Sequence, residues 1–359
     1  MRPLIYIADV GQGNCNIAIV GKSPRGDGGN SAIVVDCGPK NSQDIPIALL
    51  RGKNVTWIEA LVLTHNDKDH IGGLKNLLAE FKGDIHRIFY TGDRDITRNP
   101  AFKAIDDYYQ FELENKDADD IKEPISISVD ELSDGLLIFS EDSNSTCRIR
   151  VVIIAPTGHS ANRAAYRNSP NDASAIVTVE YKNSKVIFSG DATVPSWESL
   201  LRRRKNKALK ADAIIIPHHG GKIHPANQPG KLAWLYAKAT RCKYALISAG
   251  SDNNQGKKNR DNDHPRKDVL RALYEANLKV VCTELTPNCS GCRLMDLKGF
   301  RDSQNPHHPS FSLHDPEKIA CGGTIAIDMQ SKKIKFLNHP ELHNSEWPNR
   351  QKACCPVRM

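Results

Sequence analysis

Long hydrophobic runs are missing from these 359 residues. No stretch reaches the ~20 apolar residues that a membrane-spanning helix needs. The first apolar run, Leu4–Ala8, is short and is followed by Asp9; a secretory signal has a longer apolar core and a cleavage site. The expectation is a cytoplasmic chain with no membrane partner. Aromatic residues are scarce, at 6%, and do not interleave with basic residues as they do where successive single-stranded bases are stacked. Repeats and low-complexity segments are absent as well. Cysteine is not scarce: there are 10. In a reducing compartment these read as buried thiols or metal ligands rather than as a disulfide framework. The net charge of +7 is mild. It is compatible with an anionic substrate, but many proteins without one reach it.

What is present is an alternation of short β-rich runs and amphipathic stretches. Strands are predicted over 2–9, 16–20, 31–36, 58–64 and 85–90, with helices over 44–50, 71–81 and 101–114. The polar segment 116–134 reads as a surface excursion. Strands at 136–139 and 148–155 follow, and then a loop over 158–172 rich in Gly, Ser, Asn and Pro. A hairpin is predicted from 175–181 and 185–189, a basic helix over 194–209, and strands at 213–217, 244–248 and 279–283. Helices are predicted at 232–240 and 265–276, and a last hairpin at 323–328 and 333–337. No linker divides the chain. The simplest organisation is one α/β domain over 1–337, carrying a loop-rich, cysteine-containing insert at 284–320, with a tail at 338–359.

The stretch Leu61–Leu74 holds the densest chemistry. A buried-type strand ends at Thr64, and His65, Asp67, Asp69 and His70 follow within six positions, before Gly72 and Gly73. Imidazole and carboxylate together suit Zn, Mn or Fe. Asp67 and Asp69 could instead serve a helix N-terminus, where carboxylates favour the dipole. Two metals need more ligands than this loop supplies. Asp191 ends an apolar strand in a Gly-Asp pair, which could also be a plain turn. His218 and His219 close another strand before Gly220 and Gly221, and alternate strand geometry would send them to opposite sides. His264 stands before Pro265 and reads either as a helix cap or as a group contacting substrate.

These motifs resemble the metallo-β-lactamase superfamily. His65–His70 is similar to its H-x-H-x-D-H signature, with Asp67 where the second histidine stands. That variant resembles the hydrolase domain of the ComEC competence protein and its stand-alone relatives. Asp9–Gly13, Asp36–Gly38, Asn171–Ser174, Ser189–Asp191, Pro217–Gly220 and His264–Pro265 resemble further motifs of that domain, in the same order.

The resemblance implies an αββα four-layer sandwich with two divalent ions, Zn or Mn. It implies His65 and Asp67 on one ion, Asp69 and His70 on the other, Asp191 bridging, and one of His218 and His219 completing the second. Asp36 would fix the metal-binding loop by hydrogen bonds. The usual histidine of the third motif is missing. His159 lies too early, while Asn171 and Asp172 stand nearer the expected position, Asp172 as a ligand and Asn171 in support. With Asp67, this makes the first half richer in oxygen. The implied activity is metal-dependent hydrolysis of phosphodiesters, most naturally nucleic acid, by a metal-bound hydroxide, with Asp69, His219 and His264 as catalytic residues. Lactone, thioester or phosphocholine ester hydrolysis is the alternative. A further alternative is a conditionally active subunit of a bacterial defence complex, with protein partners from a multi-gene system.

Two features lie outside that pattern. Arg202, Arg203, Arg204, Lys205, Lys207 and Lys210 crowd one helix, and Lys257, Lys258, Arg260, Arg266 and Lys267 flank His264. The first group reads as a solvated face or a phosphate contact; the second would rim the metal end of the strands. Cys282, Cys289, Cys292 and Cys321 could form a structural zinc site pinning the insert. Cys15, Cys37, Cys147 and Cys242 read as small core residues.

Overall fold

The computed structural model describes residues 2–92, 100–140, 149–167, 169–205, 209–223, 235, 240–249, 264–283 and 323–337. The insert 284–320, the tail 338–359 and nearly all of the helix expected over 232–240 lie outside the described residues.

The chain opens with strands β1 (Leu4–Ile7), β2 (Asn16–Lys22) and β3 (Asn30–Val35), joined antiparallel. Helix α1 (Asp44–Gly52) returns the chain so that β4 (Val55–Leu63) lies parallel to β3. Helices α2 (Lys68–Ile71) and α3 (Leu74–Glu80) lead to β5 (Ile88–Tyr90), and α4 (Pro100–Asn115) leads to β6 (Ile125–Ser126). The second half begins with β7 (Leu136–Ser140) and β8 (Ile149–Ala155), followed by α5 (Gly158–Arg167). Strands β9 (Ile176–Tyr181) and β10 (Ser184–Phe188) form the expected hairpin. Then come α6 (Val194–Arg203), β11 (Ala213–Ile215), β12 (Tyr244–Ile247), α7 (Lys267–Glu275) and β13 (Lys279–Cys282). The last hairpin, β14 (Thr324–Asp328) and β15 (Lys333–Leu337), crosses back to pair with β1. The sheet orders are β15-β14-β1-β2-β3-β4-β5-β6 and β13-β12-β11-β10-β9-β8-β7.

Strand alternation explains the four layers. Ile5, Ile7, Ala60 and Val62 of the first sheet meet Val151, Ile153, Val177, Val179 and Ile215 of the second in one inner core. The intervening residues Tyr6, Leu61 and Leu63 face outward and are covered by Leu49 and Leu50 of α1, Leu74, Leu77 and Leu78 of α3, and Ile105 of α4. Ile187, Ile214 and Ala245 face the other way, under Trp197, Leu200 and Leu201 of α6 and Val269, Leu270 and Leu273 of α7. Each such large side chain contributes about 1.5–3 kcal/mol by leaving water. Strands buried on both faces carry continuous apolar runs for this reason.

Several expectations need correction. The segment expected as a loop over 158–172 begins with helix α5. Thr157 and Ser160 cap its start reciprocally, the Thr157 amide donating to Ser160 Oγ and the Ser160 amide to Thr157 Oγ1, as in a capping box. Ala161 and Ala164 are its buried face. The helix expected over 71–81 is instead two, split at Gly72 and Gly73. A Cβ on Gly72 would lie 2.3 Å from the Lys40 amide nitrogen and 2.5 Å from the Lys68 carbonyl oxygen. The basic helix ends at Arg203 rather than at 209. The polar excursion is buried at its end: Ile127 and Val129 join the inner core.

Candidate metal centre

The centre lies where β4 of one sheet and β9–β11 of the other end side by side. The Thr64 carbonyl accepts from the Ala175 amide at 2.8 Å and so ties the sheets together there. Beyond β4, His65 is fully buried. Asp67 is extended and starts α2, whose single turn brings Asp69 and His70 back toward the strand ends. From the second sheet, β10 runs through Ser189 into Gly190 and Asp191. Gly190 has φ +48°, and a Cβ there would meet Ser174 Oγ at 2.3 Å and Thr64 Cβ at 2.9 Å. The Asp191 amide donates to Ser174 Oγ at 2.8 Å. These constraints hold Asp191, 1% exposed, at the centre.

Asp36 and Thr64 set the histidine tautomers. Asp36 Oδ1 accepts the Thr64 amide at 2.8 Å, and Oδ2 accepts Thr64 Oγ1 at 2.8 Å and His70 Nδ1 at 2.7 Å. Thr64 Oγ1, having donated its proton, accepts from His65 Nδ1 at 3.1 Å. His219 Nδ1 donates to the Ser248 carbonyl at 2.8 Å. All three rings therefore present Nε2 inward, the arrangement in which a metal-binding imidazole is held by its other nitrogen.

Those inward atoms converge without bonding one another. His65 Nε2, His70 Nε2, His219 Nε2 and Asp191 Oδ1 are buried and lack hydrogen-bond partners. Yet His70 Nε2 is 3.1 Å from Asp191 Oδ1, and His219 Nε2 is 3.2 Å from Asp69 Oδ2. His65 Nε2 lies 3.5 Å from Asp67 Oδ2 and 3.6 Å from Asp191 Oδ2. Two sets, His65–His70–Asp191 and Asp69–His70–His219, have ligand atoms all within 4.8 Å of one another. Orphaned buried polar atoms are costly; donors that approach without bonding each other fit divalent ions placed among them.

The charges agree. Burial alone would raise the Asp191 carboxyl, but His70, His65 and His219 together with a hydrogen bond from His218 hold it well below the usual range. Burial likewise opposes ionisation of Asp69, and His219 and His70 overcome it. Burial disfavours the His70 cation, but Asp191 and Asp36 raise its pKa well above the ordinary histidine value.

Residues 10–88 match the Metallo-beta-lactamase superfamily profile, a span that ends in β5 and includes Asp36 and the whole His65–His70 stretch. The fold is that of the metallo-β-lactamase superfamily. ComE operon protein 3 of Bacillus subtilis is 23% identical over 242 residues, covering 67% of this chain and 25% of that protein. The chain thus spans about a quarter of that relative's length. Similar solved structures include the metallo-β-lactamase-fold protein YhfI of Bacillus subtilis, 14% identical with a TM-score of 0.38, covering 80% of this chain and 98% of YhfI. Zinc-bound PqqB of Methylobacterium extorquens is 11% identical with a TM-score of 0.41, covering 79% and 98%. The short form of human tRNase Z is 15% identical with a TM-score of 0.37, covering 68% and 92%.

Within this metallo-β-lactamase fold, the structure brings together His65, Asp67, Asp69, His70, Asp191, His218 and His219, with Asp36 beneath them. Asn171 stands at the edge, its Nδ2 3.2 Å from His218 Nδ1. The His264 ring centre is 5.2 Å from that of His218 and 6.5 Å from that of His219. Asp172 is in neither ligand set: its Oδ1 accepts Thr193 Oγ1 at 2.6 Å, and its carbonyl accepts Ser196 Oγ. His159 is exposed on α5. Thr64 was not singled out as functional by sequence reasoning; a hydroxyl between the strand and the first ligand was the available signal.

The other expectations fare unevenly. Arg203 is fastened to protein, donating to the carbonyls of Asp130, Ser133 and Ile154, and Arg204 pairs with Asp134. Arg266 binds Asp268; Lys207, Lys257, Lys258 and Arg260 lie outside the described residues. Cys282 packs in the apolar layer beneath α7, and Gly323 donates to the Thr283 carbonyl. Cys289, Cys292, Cys321 and Cys147 lie outside the described residues. Cys15, Cys37 and Cys242 are core residues, as expected, and burial pushes the Cys242 thiol up to about 12. No helix among the described residues is long and apolar enough to cross a membrane.

Proposed function

We propose that this metallo-β-lactamase-fold chain is a metal-dependent phosphodiesterase acting on nucleic acid. The observation that carries the reading is the convergence of His65, His70 and His219 Nε2 and Asp191 Oδ1, buried and without partners, at the ends of two sheets. Three carboxylates, Asp67, Asp69 and Asp191, share the centre with them. Oxygen-weighted donor sets suit ions that act on phosphates, which supports phosphodiesters over lactams or lactones. When bound, divalent ions there would polarise a phosphoryl oxygen and acidify water.

The chain's own residues do the rest. His65, Asp67, Asp69, His70 and His219 would hold the ions, with Asp191 between them and facing His65 and His70. Asp36, Thr64 and the Ser248 carbonyl hold protons on the far ring nitrogens, so Nε2 stays available. His264, half-buried beside His218, would hydrogen-bond a phosphate oxygen or protonate the leaving oxygen.

The test is metal analysis together with cleavage of labelled single- and double-stranded DNA and RNA by the wild type, Asp191→Ala and Asp69→Ala. Loss of at least one bound ion and of cleavage is expected in both variants. Cleavage that survives both substitutions would sink the dinuclear reading. A metal-loaded wild type that cuts none of the four nucleic acids would sink the choice of substrate.

A further inference from the structure

The adjacent histidines after β11 do not follow strand geometry. His218 and His219 both have φ +53°, a left-handed conformation that costs roughly 1–2 kcal/mol per non-glycine residue. Strain of this kind collects where a side chain must be aimed. Here it turns both rings toward the same carboxylate, one to each oxygen. His219 Nε2 is 3.9 Å from Asp191 Oδ1, the oxygen that also faces His70. His218 Nδ1 is 2.5 Å from Asp191 Oδ2, the oxygen that faces His65. Asp191 thus divides the centre into two halves, and each half receives one histidine of the pair.

The half on Oδ2 is the one in which the third-motif histidine is missing. Its donors are His65 Nε2, Asp67 Oδ2 and Asp191 Oδ2, with His218 Nδ1 next in line and Asn171 beside it. The contacts around His218 Nδ1 also conflict if no ion is considered. That single ring nitrogen faces the Asp191 carboxylate, which only accepts, and the Asn171 amide nitrogen, which only donates. It cannot donate to the one and accept from the other at once. The Asn171 amide oxygen, meanwhile, is buried without a partner. Amide oxygen and nitrogen exchange places on a half-turn of the side-chain amide. Turned, the Asn171 oxygen neighbours His218 Nδ1, which itself neighbours Asp191 Oδ2, and three neighbouring acceptors call for a cation.

We infer that His218, through Nδ1, is the missing protein ligand of the first ion, with the Asn171 amide oxygen as an additional donor, while His219 serves the second. The inference rests on the dinuclear reading above. It makes the two halves unequal. His70, His219, Asp69 and Asp191 form a four-donor set of the tetrahedral zinc type. His65, His218, Asp67, Asp191 and Asn171 form a five-donor, oxygen-weighted set suited to a larger coordination number and to manganese.

The experiment titrates metal-free wild type, His218→Ala, Asp67→Ala, His219→Ala and Asn171→Ala with Mn(II) and separately with Zn(II). It reads stoichiometry and affinity by calorimetry and metal content after dialysis, with circular dichroism to verify folding. His218→Ala and Asp67→Ala are expected to lose the same ion, the one with the stronger manganese preference, and to weaken it by more than about a hundredfold, the upper range for residues that only orient a ligand. His219→Ala should lose the other. Asn171→Ala should weaken the manganese site alone. The double variant Asp67→Ala/His218→Ala should still hold one ion, whereas Asp69→Ala/His218→Ala should hold none. If the wild type binds two ions and His218→Ala keeps both at unchanged affinity, the inference is overturned while the dinuclear reading stands. If His218→Ala and His219→Ala lose the same ion, it is also overturned. A wild type that binds fewer than two ions of either metal sinks the dinuclear reading, and this inference with it.

Discussion

Asp36 never touches the proposed ions, yet it should control them, and replacing it with asparagine isolates that control. Its carboxylate, fully buried, takes three hydrogen bonds: the Thr64 amide on Oδ1, and Thr64 Oγ1 and His70 Nδ1 on Oδ2. Asparagine matches its shape and tolerates its left-handed backbone, φ +62°, so backbone strain does not confound the result. The best amide orientation keeps oxygen against the two side-chain donors and turns NH2 toward the Thr64 amide. One buried N–H then loses its partner, at about 1–3 kcal/mol. The two retained bonds change from charge-assisted to neutral and lose about half their strength, roughly 1 kcal/mol together. A loss of about 3 kcal/mol is expected in urea unfolding of the metal-free protein. His70 and Thr64 also become less firmly oriented, so metal affinity should fall about 10–100-fold, equivalent to about 1.4–2.8 kcal/mol. Calorimetric metal titration reads the second effect independently of the first. If Asp36→Asn unfolds within about 0.5 kcal/mol of wild type and binds metal as tightly, the hydrogen-bond reasoning is wrong.

Other outcomes follow from neighbouring contacts. Ser174→Ala removes the acceptor of the Asp191 amide and should cost about 1–3 kcal/mol in denaturant unfolding, with weaker metal binding. Gly190→Ala places a methyl 2.3 Å from Ser174 Oγ at positive φ and should be far worse than the ~1 kcal/mol typical of a point change, read as loss of soluble folded protein. In the metal-free chain, burial lowers and two carboxylates more strongly raise the His70 pKa above its ordinary value. Its stabilising contribution is therefore complete below about pH 6.5 and fades as pH rises through the raised pKa. Metal must displace that proton, so affinity should increase with pH and the binding heat should depend on the buffer's ionisation enthalpy; pH-independent binding would contradict this. Arg203→Ala should destabilise the fold, because its guanidinium holds three backbone carbonyls, and should leave the salt dependence of nucleic-acid binding unchanged. A log–log slope reduced by about one would instead assign Arg203 to a phosphate.

The sequence alone determined most of the strands and helices among the described residues and their order, because buried strands and amphipathic helices write their environment into consecutive residues. The apolar runs before Thr64, Ser189 and Pro217 announced strands whose ends carry polar groups, and His65–His70 announced ligands by local density. It could not fix what depends on distant residues meeting. The Asn and Pro of the 158–172 segment obscured α5, because they read as breakers while the buried Ala161 and Ala164 carry little hydrophobic signal. Asp172 looked like a ligand by position, but only packing against α6 gives its carboxylate to Thr193. Arg203 read as surface charge because its three carbonyl partners come from other parts of the chain. The role of Thr64 appears only once Asp36, His65 and His70 surround its hydroxyl. Most of all, two adjacent histidines carry no sign of which oxygen of a carboxylate 27 residues earlier each will face. The left-handed turn at His218 and His219 and the seating of Gly190 against Thr64 decide that, and both lie where the strands of two facing sheets end side by side.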